Sequence, residues 1–576
     1  MSLLNKASLI QIPSGYKDGT LYSAKPTNGD GDFTLSRGSN LAATRVNSEG
    51  LIEKGRENLF FASDTSDSTA GRAIRGSSTT IKGVSGFLYS DDAGNPNINK
   101  SIAGYSTGFA TFSIYVDTTN ANTIQLNFAI DGSAINGTQA KFNATTKTWN
   151  SIVENTSYVS SGSTQLNFED LGDNVFRLSI GANFTPSGST YLPVVYFGTG
   201  NTNVAIGGGQ VEKGLVATDY IETTTTTAQA GILEDMPRLD YSGGGCPSLL
   251  LEPQRTNLDT QSEYIAGWNA FSNLTRTANY AESPEGVDNA TRLEFTGNGY
   301  TYNGNTPSQV SGSTYTMSCY AKRNDSGTQN FGFFVDGSGA VNSEMTLTSE
   351  WQRFTYTYTA SNTSRQGLAG ISGADVSVYG FQIEKDASYP TSYIPTYGSS
   401  VTRSQDLTTA DTSSFYTDSS EGTLFTELSF PLAADGNYNG WFFWDGSNYN
   451  RIVLQRRGDT GRGQIEVRIN NTTQASVISS SVITLEDNHK MLVKWDGNVF
   501  TLFIDGVNVG SDTSTDTYSG TDLNELASRP TYNAANIKQA IIFPTALTSN
   551  DCKVLTGTNY TSFASMASTL NYTQYE

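Results

Sequence analysis

The chain has 576 residues, of which 16 % are charged, and 55 acidic against 35 basic residues give a formal net charge of −20. A chain this acidic should be repelled by phosphate backbones, so nucleic-acid binding is disfavoured. No apolar run approaches the length of a membrane span, which predicts no membrane insertion. An aromatic content of 11 % in a neutral polar background is typical of β-sandwiches rather than of disordered chains.

Residues 1–45 form a Gly-rich segment with little apolar content, which we interpret as an N-terminal arm. Its opening string, MSLLNKASLIQIPSGYKDG, lacks the apolar core of a signal peptide. We therefore expect the protein to be made and folded in a cytoplasm. Asp30 and Asp32 lie in the string NGDGDF, which predicts a plain turn.

Two repeat modules follow, at 46–227 and 228–407. LIEKGRENL at 51–59 matches LLEPQRTNL at 250–258, and GGQVEKGLVATDYIE at 208–222 matches GFQIEKDASYPTSYIP at 380–395. Between these strings, short segments of alternating polarity such as FATFSIYVD and EWQRFTYTYTA predict antiparallel strands. We expect the glutamates of each repeat to form structural salt bridges, Glu53 with Arg56 and Glu252 with Arg255.

The last unit, 408–576, has a different pattern, with Asp-Gly pairs between apolar runs. HKMLVKWDGNVFTLFIDGVNVG at 489–510 predicts a three-stranded meander, because Asp-Gly is a strong hairpin signal. Near the C-terminus, a strand ends before Pro544 and Thr548 or Ser549 caps one short helical turn. The predicted fold class is all-β, in tandem antiparallel β-sandwiches (jelly rolls) with very little helix.

Few residues offer nucleophilic or metal chemistry. The three cysteines, Cys246, Cys319 and Cys552, are widely spaced and odd in number, which predicts reduced, buried thiols. The single histidine, His489, begins a predicted strand, where packing or hydrogen bonding is its expected role. The sequence thus predicts a protein that is not an enzyme and has no catalytic residues.

Two aromatic-rich stretches are candidate glycan sites, because sugars stack their apolar faces on aromatic rings. The stretch at 433–450 contributes Tyr438, Trp441, Trp444 and Tyr449. The stretch at 296–306 contributes Tyr300 and Tyr302. The alternative for the first stretch is that its rings pack in the core.

These residues resemble known families. The unit at 408–576, with its histidine, Asp-Gly meander and IIFPTALTSNDCKVL ending, looks like a LamG or concanavalin A-like jelly roll. The two repeats, whose closing strand reads GFQIEKDASYPTSYIPT, resemble carbohydrate-binding-module sandwiches. SRGSNLAATRVNSEGLIE and GGGCPSLLLEPQRTNL are similar to strings in virion proteins of tailed bacteriophages.

The resemblance implies a non-enzymatic structural protein of a phage virion, a head or tail fibre, adhesin or decoration protein. It implies assembly in the host bacterial cytoplasm, docking on other virion proteins through the N-terminal arm, and binding of host-surface glycans by the sandwiches. A homo-oligomer is expected, and analogy with fibres favours a trimer over a dimer. Jelly rolls of this kind often hold Ca²⁺, for which Asp435, Asn437 and Asp445 offer oxygen ligands.

Two alternatives stay open, a polysaccharide depolymerase of a phage tail and a purely structural capsid decoration protein with no ligand. A depolymerase needs a pair of carboxylates across the scissile bond. Concanavalin A-like glucanases present theirs along one strand, whereas the string GQIEVRIN at 463–470 has Glu466 alone. That departure argues against the glucanase chemistry.

Overall fold

A computed structural model describes residues 3–17, 19–38, 41–186, 188–327, 330–430, 439–447, 449–528 and 534–557. The helices across these residues are two 3₁₀ turns, Leu3–Lys6 and Ile265–Gly267, and one α-helix, Ser549–Gly557. Everything else regular is antiparallel β-strand, so the all-β prediction is confirmed. No helix in the described ranges has the length and apolar character needed to span a membrane.

The first repeat module is a sandwich of two six-stranded sheets. In order across one sheet, the strands are Gln165–Asp170, Val175–Phe184, Gly108–Asp117, Val204–Lys213, Val84–Asp91 and Ala73–Ile81. In the other sheet they are Thr148–Glu154, Ser133–Asn143, Thr123–Ile130, Tyr191–Tyr196, Asn97–Asn99 and Thr69–Gly71. Alternate residues of both sheets, such as Phe112, Ile114 and Phe128, meet in one buried core.

The second repeat module repeats this topology with two five-stranded sheets. One sheet contains Leu274–Ala281, Ala290–Phe295, Asp375–Lys385, Thr314–Arg323 and Gln352–Thr359. The other, which we call the outer sheet, contains Asn269–Phe271, Gly299–Tyr302, Gly367–Gly370, Phe331–Phe334 and Ser343–Glu344. The strands follow the same order as in the first repeat. Each sheet of the second repeat lacks one edge strand that the first repeat has.

Equivalent asparagine side chains make equivalent hydrogen bonds in the two repeats. Asn58 donates from Nδ2 to the carbonyls of Gly209 and Ile221, and Asn257 donates likewise to those of Phe381 and Ile394. The strands that carry these asparagines pair with segments outside the sandwiches, Arg56–Asn58 with Ala228–Ala230 and Arg255–Asn257 with Val401–Arg403. The repeat found in the sequence is therefore a repeat of structure.

A third sandwich, the terminal sandwich, is assembled from strands in three separated parts of the chain, which lie before residue 38, at 239–251 and after residue 406. One sheet contains Leu239–Asp240, Ser248–Leu251, Ala535–Phe543, Glu421–Ser429, Asn488–Asp496, Val499–Ile504 and Val507–Thr513, with Leu9–Gln11 also paired to Ala535–Phe543. The other contains Tyr16–Lys17, Thr20–Leu21, Phe33–Ser36, Leu407–Asp411, Glu525–Ser528, Asn439–Trp444, Arg451–Arg456, Arg462–Ile469 and Thr472–Val482.

The N-terminal segment is thus not the separate arm that its composition predicts. Leu9 lies opposite Ile542, and Phe33, fully buried, packs its ring against Trp441 at 5.8 Å. The apolar residues are few, but they alternate along short strands and complete the core of the terminal sandwich. Near its end, Thr44–Val46 forms a two-stranded ribbon with Ile52–Lys54.

The predicted salt bridges have different partners in the structure. Glu53 pairs with Arg45 at 2.8 Å, whereas Glu252 is buried and pairs with both Arg238 and Arg403 at 2.7 Å. Arg238 also pairs with Asp406, so this ion cluster ties the linker to the segment that enters the terminal sandwich. The equivalent glutamates therefore occupy different environments in the two repeats.

The Asp-Gly turns of the meander are formed in two ways. Asp505 and Gly506 are the two loop residues between paired strands, and both have positive φ, 47° and 82°. In the preceding hairpin Asp496 still belongs to the strand and pairs with Val499, so the loop is Gly497-Asn498, with φ of 56° at Gly497. The positive φ at the first loop position is that of a type II′ turn. As predicted, Thr548 caps the helix Ser549–Gly557, since its Oγ1 accepts from the Asp551 amide at 3.1 Å. The helix has nine residues, however, and is longer than the single short turn that was predicted.

Candidate functional site

An aromatic row crosses the solvent-facing side of the outer sheet of the second repeat. Phe271 lies opposite Tyr300, and Tyr300 lies opposite Ala369 on the next strand. Because side chains alternate along a strand, Tyr300 and Tyr302 point to the same side, while Thr301 between them points to the core. Two residues predicted as a glycan site are thus neighbours on one sheet face.

The rings of this face support one another. Phe271 and Tyr300 are stacked at 5.1 Å with an interplanar angle of 16°, and Tyr300 lies 6.2 Å from Tyr302 and 5.0 Å from Phe334. Phe271 has 57 % of its surface exposed, a high value for a large apolar side chain. The neighbouring rings therefore hold one another in place, and part of the aromatic surface is exposed to solvent.

Two grooves flank the aromatic row. A groove of about 490 Å³ lies on the Tyr302 side and one of about 630 Å³ on the Gly370 side. The first is lined mainly by short polar residues, Asn269, Asn303, Thr306, Ser308, Thr363 and Ser364. The second is lined among others by Asn298, Asn330, Ser338, Asn342 and Glu344. Amide, hydroxyl and carboxylate groups thus surround the rings on both sides.

A loop at 335–342 separates the two grooves. It turns at Asp336 and Gly337, both with positive φ, and passes so close to the row that a Cβ on Gly339 would lie 2.6 Å from Cε1 of Tyr300. The Gly337 amide donates to the Arg365 carbonyl at 2.8 Å. The exposed guanidinium of Arg365 lies over the Tyr302 ring, 4.6 Å from its centroid, which places a positive charge at the mouth of the first groove.

A buried carboxylate supports the floor of the first groove. Asp259 accepts hydrogen bonds from the Gln261 amide at 2.8 Å, and from Asn303 and Thr306 side chains at 3.0 Å each. Burial raises the pKa of Asp259 to about 6. Since Asn303 and Thr306 line the groove, Asp259 fixes their positions without facing solvent itself. Sequence analysis did not single out Asp259, because its importance depends on contacts with residues far along the chain.

The corresponding face of the first repeat lacks the aromatic row. The same strand pairing there sets Gly71 opposite Asn97 and Thr69 opposite Asn99, at the places where the second repeat has Phe271 opposite Tyr300 and Asn269 opposite Tyr302. The two repeats share a scaffold but not the chemistry of this face.

Two of the candidate glycan residues at 433–450 are part of the core. Trp441 is fully buried and donates its indole N–H to Thr426 at 3.0 Å, while Trp444, 5 % exposed, donates to Glu525 at 2.8 Å. Neither ring has a face available for a sugar, so the prediction is corrected for these two residues. Tyr449 is 60 % exposed, and Tyr438 lies outside the described residues.

The proposed calcium ligands are only partly described. Asp435 and Asn437 lie outside the described residues, whereas Asp445 accepts bonds from the Ser447 and Asn450 amides as part of a turn. Within the described ranges, no three His, Cys, Asp or Glu side chains come together in a way that could hold a metal ion. Calcium binding stays a prediction.

Several acidic residues that could serve in catalysis are held in ion pairs. Glu466 pairs with Arg451 at 2.7 Å. Glu263 and Glu285 share Lys54, whose Nζ lies 2.7 and 2.9 Å from their oxygens. Burial alone would raise the pKa of Glu285, but Lys54 and Arg56 lower it. A glycosidase acid needs a raised pKa, so this ion-paired arrangement does not suit that role.

The histidine and two of the three cysteines lie where the sequence predicts them. His489 lies with Nδ1 2.7 Å from Asp505 and Nε2 3.0 Å from the Thr484 hydroxyl, in agreement with a hydrogen-bonding role. Cys319 and Cys552 are buried as predicted, but Cys246 is exposed, because it follows three glycines in a surface turn.

No protein-family model and no curated protein matches the sequence. Among solved structures, the chain is similar to the carbohydrate-binding module CBM40 of a Ruminococcus gnavus sialidase bound to sialyllactose, with 11 % identity and a TM-score of 0.21 over 24 % of this chain and 83 % of that one. It is also similar to domain 4 of a Geobacillus stearothermophilus arabinanase in complex with arabinotriose, with 14 % identity and a TM-score of 0.22 over 26 % of this chain and 73 % of that one.

A third similar structure is the botulinum neurotoxin serotype D binding domain, with 12 % identity and a TM-score of 0.22 over 26 % of this chain and 40 % of that one. The similar structures thus include carbohydrate-binding modules and toxin binding domains, and each likeness covers about a quarter of this chain. The protein is an all-β chain of tandem antiparallel sandwiches with an aromatic face on its second repeat.

Proposed function

We propose that this protein is a non-catalytic glycan-binding protein and that it binds through the outer face of its second repeat. The observation that carries the proposal is the partly exposed row of Phe271, Tyr300 and Tyr302 between two grooves lined by amides and hydroxyls. Pyranose rings stack their C–H faces on aromatic rings, and their hydroxyls pair with such polar groups. A sheet face of this kind suits an extended oligosaccharide lying across the strands.

The face also indicates how a sugar would be held. Stacking on Phe271 and Tyr300 would supply apolar contact, and Asn303, Asn342 and Glu344 would take hydroxyls. Arg365 would accommodate a hydroxyl or an acidic substituent near Tyr302, in a protein that is otherwise strongly acidic.

The test is a glycan array with the full chain, followed by titration calorimetry with the best oligosaccharide. Tyr302→Ala and Phe271→Ala should each weaken binding about fivefold, since stacking contacts are worth about 1 kcal/mol. Tyr449→Ala, which removes an exposed tyrosine of the terminal sandwich, is the matched control and should leave affinity unchanged. Loss of binding only in the Tyr449 variant, or no binding by the wild type, would reject the proposal.

For the setting, we propose a virion surface, on the head or tail of a tailed phage, as the sequence resemblance implies. Docking to other virion proteins would then use a folded surface, because residues 3–38 are built into the terminal sandwich. A homo-oligomer, with a trimer favoured over a dimer, remains part of this proposal. Antibody labelling of intact particles in the electron microscope tests the setting, and unlabelled particles would contradict it.

A further inference from the structure

A cavity of about 210 Å³ lies at the junction between the two repeat modules. Its walls come from both repeats and from Leu41, which precedes the first one. The apolar part of the lining consists of Leu41, Leu59, Leu215, Val216, Pro395 and Val401. The polar part contains Lys54, Arg56, Glu212, Glu263, Glu285, Asn289 and Tyr397.

One side of the cavity is a buried ion cluster. Lys54 donates to Glu263 at 2.7 Å and lies 2.9 Å from Glu285, and Arg56 also pairs with Glu285. The side chains of Lys54, Glu263 and Glu285 are 6 %, 1 % and 1 % exposed. Buried charges of this kind are tolerated only when their hydrogen-bonding capacity is filled.

The two oxygens of Glu263 are used very unequally. Oε1 lies within 3.3 Å of four donors, Lys54 Nζ and the hydroxyls of Tyr379, Tyr393 and Tyr397. Oε2 is equally buried and has no partner among the described residues. Asn289 shows the same pattern, since its Nδ2 donates to Glu285 at 3.0 Å while its buried Oδ1 has no partner there.

The charges around the cavity leave a negative excess. The lining contains three cations, Lys54, Arg56 and Lys213, and four carboxylates, Glu57, Glu212, Glu263 and Glu285. Of these, Lys54, Glu212, Glu263 and Glu285 are buried. The Glu212 carboxylate is already filled, because it accepts from the Thr218 amide and hydroxyl at 3.0 and 2.6 Å. The group still open to a donor is therefore the carboxylate of Glu263.

We propose that this cavity binds a small organic ammonium ion, whose N–H groups fill Glu263 Oε2 and Asn289 Oδ1 and whose aliphatic part packs on Leu215 and Val216. A metal ion fits less well, because no three His, Cys, Asp or Glu side chains of the described ranges form a metal-binding group. A cavity of this size holds about six to eight non-hydrogen atoms, given that benzene fits an apolar cavity of about 150 Å³.

The test is titration calorimetry of the full chain with n-butylammonium and with 1-butanol, its neutral counterpart of similar shape. We expect saturable binding of n-butylammonium and at least about tenfold weaker binding of 1-butanol, because both can donate to the free carboxylate oxygen but only the cation forms a charge-assisted hydrogen bond. Equal affinities, or no binding of n-butylammonium, would overturn the inference.

Two variants separate binding from folding. Glu263→Gln should reduce n-butylammonium affinity at least about tenfold, and unchanged affinity in a folded variant would overturn the inference. If that variant fails to fold, Val216→Phe decides, since it fills the cavity without touching the ion pairs and should abolish binding. Val310→Phe, at a position 51 % exposed and away from the cavity, is the matched control. Glycan binding measured on the same samples reports on the outer sheet independently.

Discussion

Gly108 and Gly398 approach each other backbone to backbone across the junction of the two repeat modules. A Cβ on Gly108 would stand 1.6 Å from the carbonyl oxygen of Tyr397, and a Cβ on Gly398 would stand 2.3 Å from that of Thr107. Their φ values, +113° and +126°, are also ones that other residues rarely adopt. The two repeats are therefore docked through a contact that admits only glycine.

Gly108→Ala should disturb this docking and lower the free energy of unfolding by more than about 2 kcal/mol, because it adds a clash to the cost of a strained φ. Gly132→Ala is the matched control, since Gly132 has φ of +74° but no atom within 4 Å of an added Cβ. Denaturant titration measures the stabilities, and small-angle scattering measures the module arrangement. Equal effects of the two substitutions would contradict the role of the close approach.

Glu252→Gln should destabilise the protein by about 3 kcal/mol at neutral pH, because it leaves Arg238 and Arg403 buried with an unfilled partner. Burial alone would raise the pKa of Glu252, but Arg403 and Arg238 lower it to about 2. A folded pKa below the unfolded value means stability that is present above about pH 4.3 and lost as pH falls towards 2. The gap between variant and wild type should therefore close in acid.

The repeat supplies a control for this prediction. Glu53, the sequence equivalent of Glu252, has a side chain 29 % exposed and pairs with Arg45. Glu53→Gln should cost less than about 1 kcal/mol, as expected for a partly solvated ion pair. Similar losses of unfolding free energy for Glu53→Gln and Glu252→Gln in urea titrations would show that burial does not distinguish the two glutamates.

Asp259→Asn should raise stability at pH 8. Burial raises the pKa of Asp259 to about 6, above its unfolded value, so the folded state resists ionisation and the wild type loses stability as pH rises from 4 through 6. Replacement by a neutral amide of the same shape should recover up to about 3 kcal/mol at pH 8 and almost nothing at pH 4. Thermal unfolding across this range measures the difference, and a variant less stable than wild type at pH 8 would refute it.

His489→Gln should remove a stabilisation that exists only at lower pH. Burial lowers the pKa of His489, but its contact with Asp505 outweighs this and the net pKa is raised. The stabilisation is complete below the unfolded value of about 6.5 and disappears as pH rises through the folded pKa. Because Asp505 is 46 % exposed, we expect no more than about 1 kcal/mol. A stability gap that grows with pH would contradict this assignment.

Phe33→Ala should cost about 3–5 kcal/mol in the terminal sandwich, because a fully buried ring is lost from its core. Trp441 lies 5.8 Å from Phe33, so the change should also alter the tryptophan fluorescence transition. Tyr22→Ala, at a residue 44 % exposed in the same segment, should have little effect. An unaffected transition in the Phe33 variant would mean that the segment is not an integral part of the sandwich.

Alternation of apolar residues was enough to predict the strands, because a residue period of two marks a half-buried strand in any context. The repeat was likewise visible, since Asn58 and Asn257 keep the same local sequence around the same closing bonds. The alternation of apolar residues does not show which face of a sheet is buried and which is exposed. Trp441 is therefore in the core while Tyr300 is on an outer face, although both sit in similar aromatic stretches.

The sequence pattern also could not predict which residues pair when they lie far apart along the chain. The few apolar residues of 1–45 predict an arm until their partners are known, and Leu9 finds its partner in Ile542. Glu263 and Lys54 were not singled out for the same reason, since each is an ordinary charged residue until the junction buries it.

The pairing of Leu9–Gln11 with Ala535–Phe543 has a mechanical consequence. Leu9 faces Ile542 and Gln11 faces Ala540, so Ser8 and Phe543 lie at the same end of this ribbon. Tension applied between residues 8 and 543 would open the ribbon one hydrogen bond at a time, starting at the bond from the Ser8 amide to the Ile542 carbonyl. Both repeats lie in the loop that this ribbon closes and would carry no load until it has been unzipped.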